Sequence, residues 1–249
     1  MRWLAALDRP RPALAVSAVL LAIPVVFVLL VPHPLEQPFG VDFRLYQDAT
    51  ARWLAGGGFY EPYQLAGPYP ISAGDILYAP VALWLFGPFS VGAGGPDWVS
   101  VVQAVAWWGV PLGTTAAVVV AFRPRPLAWP LIAFCLVNPT TLLKIWTGNP
   151  VIWSMAAMAL ACASASRFAA PFVLLKPSLA PFALFGIRRR SWWAGALVFA
   201  LLCLPFGAMW ADWLTTLRNS QGGGLLYSSL EVFLLALPLA AWWGRTRAG

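Results

Sequence analysis

Long unbroken apolar runs alternate with short polar breaks along the chain. An apolar run of roughly 17–25 residues reads as a membrane-crossing helix, and the first such run lies at about 13–31. A mixed-polarity stretch, 32–75, comes next and is followed by a short apolar segment at about 76–90. Longer runs cover about 98–122, 127–143 and 150–166, broken by Arg123-Pro-Arg-Pro126 and by the polar stretch 144–149. Two more, about 191–208 and 225–243, flank the segment 209–224, which holds Asp212, Arg218 and a Gly222–Gly224 run. Continuous runs, rather than ten-residue alternating segments, predict helices and speak against a barrel.

The segment 168–187 is apolar and about one span long, yet Arg167 precedes it, Arg188 to Arg190 follow it, and Lys176-Pro177 sits at its middle. A single span would leave one basic cluster outside. A re-entrant hairpin of two half-helices keeps both inside and lifts Lys176-Pro177 towards the outer half of the bilayer, because proline ends helices and irregular backbone is tolerated where it lines a cavity. The hairpin is the reading adopted. The predicted fold is all-α: a polytopic transmembrane helical bundle of about seven to nine membrane segments, with the re-entrant hairpin at 168–187. Residues 32–75 form a long first extracytoplasmic loop and 209–224 the last one. No repeat, low-complexity tract or linker divides the chain, so 1–249 reads as one domain.

Composition agrees. Hydrophobic residues make up 60% of the chain, charged residues only 10%, and the mean hydropathy is +0.73, against about 25% charged residues in ordinary soluble domains. The net charge of +7 could suggest a nucleic-acid partner, but most arginines sit in short clusters beside apolar runs: Arg9 and Arg11, Arg123 and Arg125, Arg167, Arg188 to Arg190, Arg245 and Arg247. That is the positive-inside pattern, which records membrane topology; no nucleic acid is expected. Counting every run as a full span puts Arg123 and Arg125 outside, and the charge clusters are preferred over the count. The first run lacks a small-residue cleavage site and reads as a retained span. Cys135, Cys162 and Cys203 lie inside apolar runs and read as packing residues.

Polar residues concentrate on the face that the charge rule assigns to the outside. The first loop holds His33, Glu36, Asp42, Arg44, Tyr46, Asp48, Arg52, Glu61, Tyr63 and Asp75, while Lys144, Asn149, Lys176, Arg218, Asn219 and Glu231 come from other segments. Carboxylates grouped with Lys and Arg at a membrane boundary suit an anionic substrate and acid–base chemistry. Residues 42–56 read as a short amphipathic helix with a stripe of Phe43, Tyr46, Trp53 and Leu54 and with Thr50 filling the turn. Asp42 falls at its start, where the helix dipole favours a carboxylate, and from the residue alone it reads first as an N-cap. The single histidine, His33, stands between prolines and reads as structural.

Asp42-Phe-x-x-Tyr46, Leu54-Ala-Gly-Gly-Gly-Phe-Tyr60, Leu77-Tyr-Ala-Pro80 and Phe86-Gly-Pro88 together resemble the first outer loop of the C-type integral membrane glycosyltransferases. Bacterial polyprenyl-phosphate-mannose-dependent mannosyltransferases are the nearest members in pattern. Asn138-Pro139 with Gly148-Asn149-Pro150 resembles their "P … GQ.N" stretch, and Leu175-Lys176-Pro177 through Pro181 their "K..P" hairpin. Asn219, Gly222 to Gly224 and Ser228-Ser229-Leu230 resemble their closing loop. Asn149 stands where the family has glutamine, Ala79 stands in its Tyr-Pro-Pro, and the chain is shorter than typical members.

The resemblance implies transfer of a hexose, mannose by family pattern, from a polyprenyl-phosphate donor to a lipid or glycan acceptor on the extracytoplasmic face of the cell membrane. It makes Asp42 the general base of an inverting displacement and Lys176, then Arg218, the donor-phosphate ligands. Tyr46, Asp48, Lys144 and Asn149 become substrate-binding candidates, although Asp48 lies six residues from Asp42 and faces elsewhere on the helix. No cluster has metal-ligand spacing; a divalent cation, Mg or Mn, between donor phosphate and carboxylate stays open. Two other readings also stay open. One is a non-catalytic lipid-carrier-binding or assembly subunit on the same module; the other is a small transporter or flippase. A partner membrane subunit that would complete the acceptor groove also stays open.

Overall fold

A computed structural model of the chain describes residues 8–30, 37–72, 74–91, 97–221 and 229–246. His33, Glu36, Gly222 to Gly224 and Ser228 lie outside the described residues. The fold is all-α among those described. The helices are α1 Pro10–Leu30, α2 Val41–Leu54, α3 Pro62–Ala66, α4 Leu83–Ser90, α5 Asp97–Phe122, α6 Ala128–Val137, α7 Pro139–Thr147, α8 Val151–Ala163, α9 Ala180–Ala183, α10 Arg190–Cys203, α11 Met209–Asn219 and α12 Val232–Gly244.

Expectation and structure part over the number of membrane segments. Among the described residues only α5 is by itself long and apolar enough to cross a membrane, and the total reaches three if each of two bent helix pairs counts as one span. This corrects the expected seven to nine. The cause is visible in the backbone. The 127–143 run breaks at Asn138-Pro139 into α6 and α7, bent by 57°, and the 191–208 run turns by 92° into α11. Met209–Asn219 is thus helical where a loop was expected. The 150–166 run yields the 13 residues of α8, about 20 Å at helical rise, against a hydrocarbon core of about 30 Å. Nor does the short 76–90 segment present a lipid face at its start: every residue from Asp75 to Leu83 is buried.

The segment 168–187 differs from two half-helices. It folds as a 3₁₀ turn over Ala170–Leu175, an extended Lys176 (φ −121°, ψ 96°), a second 3₁₀ turn over Pro177–Leu179, and the single turn of α9. Pro171, Pro177 and Pro181 each remove a backbone donor within this stretch, so an α-helix cannot propagate through it.

The core forms around α8, which packs against α5, α12 and the 3₁₀ turn 170–175. Val151, Ile152, Met155 and Met158 on α8 are at most 2% exposed. The amphipathic helix α2 buries Phe43, Tyr46, Ala49 and Thr50 and packs on α4; Leu54, expected in the stripe, is exposed because the helix ends there.

Both α8 and α12 run between two chemically different ends. At their C-terminal ends the arginines gather. The Arg125 amide donates to the Gly244 carbonyl at 2.8 Å, and Pro124 bridges Arg245. Arg167 donates to the Cys162 carbonyl at 2.9 Å and lies 5.5 Å from the Trp242 ring, which Arg245 covers at 4.3 Å. Arg123 and Arg125 therefore share an end with Arg167 and Arg245, as charge clustering suggested and span counting did not. At the other ends of α8 and α12 lie Asn149 and Glu231.

Candidate active site

A cleft of about 260 Å³ opens at that second end, lined among others by Asp42, Tyr46, Asp75, Tyr78, Lys144, Thr147, Asn149 and Lys176. Five of the sequence candidates (Asp42, Tyr46, Lys144, Asn149 and Lys176) thus share one cavity.

Local folding of α7 sets the position of Asp42. The helix ends on Gly148 in the left-handed region (φ 70°, ψ 33°). Its amide donates to the Ile145 carbonyl at 3.2 Å, and the Asn149 amide reaches back to Lys144 at 2.9 Å, a Schellman closure that favours glycine at this position. Two indoles from α5 hold the turn: Trp107 Nε1 donates to the Gly148 carbonyl at 2.7 Å and Trp108 Nε1 to Ile145 at 2.6 Å. A Cβ on Gly148 would stand 2.5 Å from Trp108 Cζ2. Gly40, also left-handed, starts α2 beside the same turn, its amide donating to the Trp146 carbonyl at 3.0 Å.

Thr147 and Asn149 therefore flank Gly148 and face the first turn of α2. Thr147 Oγ1 donates to Asp42 Oδ2 at 2.9 Å, and Asn149 Nδ2 donates to the same oxygen at 2.6 Å. Asp42 does not cap its own helix; Gly40 occupies that position. Among the described residues no donor engages the other oxygen, Oδ1. Asn149 is held the right way round because its Oδ1 accepts from the Tyr78 hydroxyl at 2.8 Å and from the Val151 amide at 3.2 Å, leaving the amide nitrogen for Asp42.

Tyr78, 1% exposed, connects this half of the cleft to the cationic half. Lys176 Nζ lies 5.3 Å from the centre of its ring, and Tyr46 meets it edge-on at 5.2 Å. Lys176 is itself only 1% exposed. It ion-pairs with Glu231 Oε2, while Lys144 Nζ stands 3.3 Å from Glu231 Oε1.

Asp75 lines the opposite wall. Its Oδ1 accepts from the Tyr63 hydroxyl and its Oδ2 from the Ser72 amide, both at 2.5 Å. Burial, and then the hydrogen bond to Asp75, push the Tyr63 phenol well above the ordinary tyrosine range. Among the described residues no group of three or more His, Cys, Asp or Glu side chains could hold a metal ion. Both Asp75 oxygens are thus engaged within the protein.

Two candidates stand apart. Asp48 is on the exposed side of α2, and Arg218 is exposed in the last turn of α11; neither lines the cleft. Arg52 pairs with Glu61 at 2.7 Å and caps the carbonyls of Gly58 and Phe59, and Asn219 Nδ2 donates to the Gln64 carbonyl at 2.9 Å, so these polar residues brace the loop. Sequence reasoning missed Thr147 and Tyr78 and gave Glu231 no role. The available signals were a hydroxyl and an amide on either side of a left-handed glycine, and a carboxylate inside an apolar stretch.

Comparison of the chain with protein-family models, with curated proteins and with solved structures finds no match.

Proposed function

We propose that this chain is an integral membrane glycosyltransferase that moves a hexose, mannose by resemblance, from a polyprenyl-phosphate donor to a lipid or glycan acceptor. The observation that carries the reading is the meeting of an oriented carboxylate, Asp42, and two lysines, Lys144 and Lys176, in one cleft. In this mechanism Asp42 Oδ1 accepts the proton of the acceptor hydroxyl as that oxygen attacks the anomeric carbon. The bond to the phosphate oxygen breaks on the opposite face, giving inversion. A phosphate leaving group needs charge stabilisation more than a proton, and Lys176 with Lys144 supplies it. General-base help is worth about 10²–10⁴-fold.

Membrane residence rests on α5 and on exposed apolar side chains such as Leu14, Val19 and Ile23 on α1, Val101, Val105 and Val120 on α5, and Trp193, Leu197 and Leu201 on α10. Apolar surface on this scale needs lipid or a partner to cover it. Under the positive-inside rule the arginine end faces the cytoplasm and the cleft faces the extracytoplasmic side, where nucleotide sugars are absent and a lipid-phosphate donor is the available one. The test is transfer by purified protein in liposomes. Label should move from polyprenyl-phosphate-mannose, not from a nucleoside-diphosphate mannose, to membrane-lipid acceptors with inverted anomeric configuration.

One observation favours a second reading, a non-catalytic subunit that binds the lipid carrier. Lys176 is buried and already paired with Glu231, as a cation that organises a binding site would be. Donor binding without transfer is its signature.

A further inference from the structure

Lys144 and Lys176 reach the cleft from different elements, α7 and the break at the centre of 168–187. Glu231 stands behind them at the start of α12, fully buried and not lining the cavity. One carboxylate oxygen meets each ammonium, and no other donor satisfies those oxygens among the described residues. Lys144 and Lys176 line the cleft and Glu231 does not, so a ligand in the cleft meets the cations and not the carboxylate that pairs with them. Without a counter-ion, two neighbouring ammoniums, one of them buried, would repel each other and lose solvation with nothing in return. A shared carboxylate offsets both costs and fixes the spacing of the two cations.

We propose that Glu231 is a positioning residue that presents Lys144 and Lys176 as a two-cation cradle for the single phosphate of a lipid-linked ligand. This rests on the donor-phosphate reading above but not on transfer. Glu231 touches no reacting atom; it acts through the lysines. With two positive charges and one negative, the triad is net positive where the lysines line the cleft, while Asp42 and Asp75 line other parts of it, so an anionic headgroup is directed to the lysine wall.

The experiment measures binding of a polyprenyl monophosphate without sugar to the full chain in lipid nanodiscs, with the corresponding polyprenol as control. Glu231→Gln and Lys144→Met should each weaken phosphate-lipid binding roughly tenfold or more, as expected for loss of a charged hydrogen-bonding group, and leave polyprenol binding unchanged. Their combination should be no weaker than the worse single variant, because both act through one cradle. Glu231→Asp, which keeps the charge on a shorter arm, carries the test if the Gln variant does not fold; it should weaken phosphate binding while the melting temperature stays within a few degrees of wild type. Wild-type affinity in the Gln or Asp variant, losses that multiply in the double variant, or no phosphate selectivity in the wild type would overturn the proposal. Phosphate binding that depends on Glu231 in a protein that never transfers sugar would remove the transferase reading alone. Transfer by wild type with unaltered phosphate affinity in the variants would remove this inference alone.

Discussion

Asn149 Nδ2 donates to Asp42 Oδ2 at 2.6 Å, and this contact joins the start of α2 to the turn between α7 and α8. Asn149 can make it only while its carbonyl oxygen is occupied by Tyr78 and Val151. Asp42 is then oriented through Oδ2 by two neutral donors, Thr147 and Asn149.

Asn149→Ala should therefore separate positioning from binding. The variant removes one of the two donors on Asp42 Oδ2 and the Asn149 acceptor of the Tyr78 hydroxyl. We expect kcat to fall about 10–100-fold with donor affinity within about threefold of wild type, and stability to drop by about 1–3 kcal/mol. Steady-state kinetics alongside thermal unfolding checks both; a rise in KM at unchanged kcat would contradict the positioning role.

Gly148→Ala tests the turn itself. A left-handed non-glycine residue costs about 1–2 kcal/mol, and the added methyl would meet Trp108 at 2.5 Å. The variant should lose more than the conformational cost alone. Adding Trp108→Leu should relieve part of the deficit, a non-additivity readable by chemical denaturation.

Tyr63 gives a pH prediction. Its phenol, raised by burial and by the hydrogen bond to Asp75, keeps its proton in the folded state beyond the unfolded value. A group raised in this way contributes stability that is fully present below pH 10.0, its unfolded value, and is lost as pH rises through the folded one. Wild type should exceed Tyr63→Phe in stability from neutrality up to about pH 10, and the gap should narrow only above that. Denaturation midpoints compared across pH would show it; a gap that closes between pH 7 and 9 would contradict the assignment.

Asp48→Asn and Arg218→Ala change exposed residues away from the cleft. Stability should stay within about 0.5 kcal/mol of wild type and donor affinity should be unchanged. A large loss of donor binding in Arg218→Ala would show that α11 closes over the cleft when substrate enters.

The short helix α2 was legible from its period, as was the gathering of basic clusters from their sequence context. Asp42 and Lys176, which line one cleft, were legible as candidates because ionisable groups are expensive in apolar surroundings. The span count was not. An apolar run has the same composition whether lipid or protein covers it, and on α8 nine of the 13 positions are buried against neighbours. The partners of the site were hidden for another reason: Thr147 and Asn149 lie 105 and 107 residues from Asp42, and Asn149 lies 71 from Tyr78. No local pattern encodes such pairings. Glu231 had an anomalous position but no visible partner until the break at Lys176 was placed beside it.

The most direct measurement is transfer from radiolabelled polyprenyl-phosphate-mannose to membrane lipids by wild type and Asp42→Asn side by side, with donor affinity measured on both. Transfer by wild type, a loss of about 10²-fold or more in the Asn variant and donor affinity that is equal in the two would agree with Asp42 as the base of this cleft. Equal transfer by both proteins would contradict it.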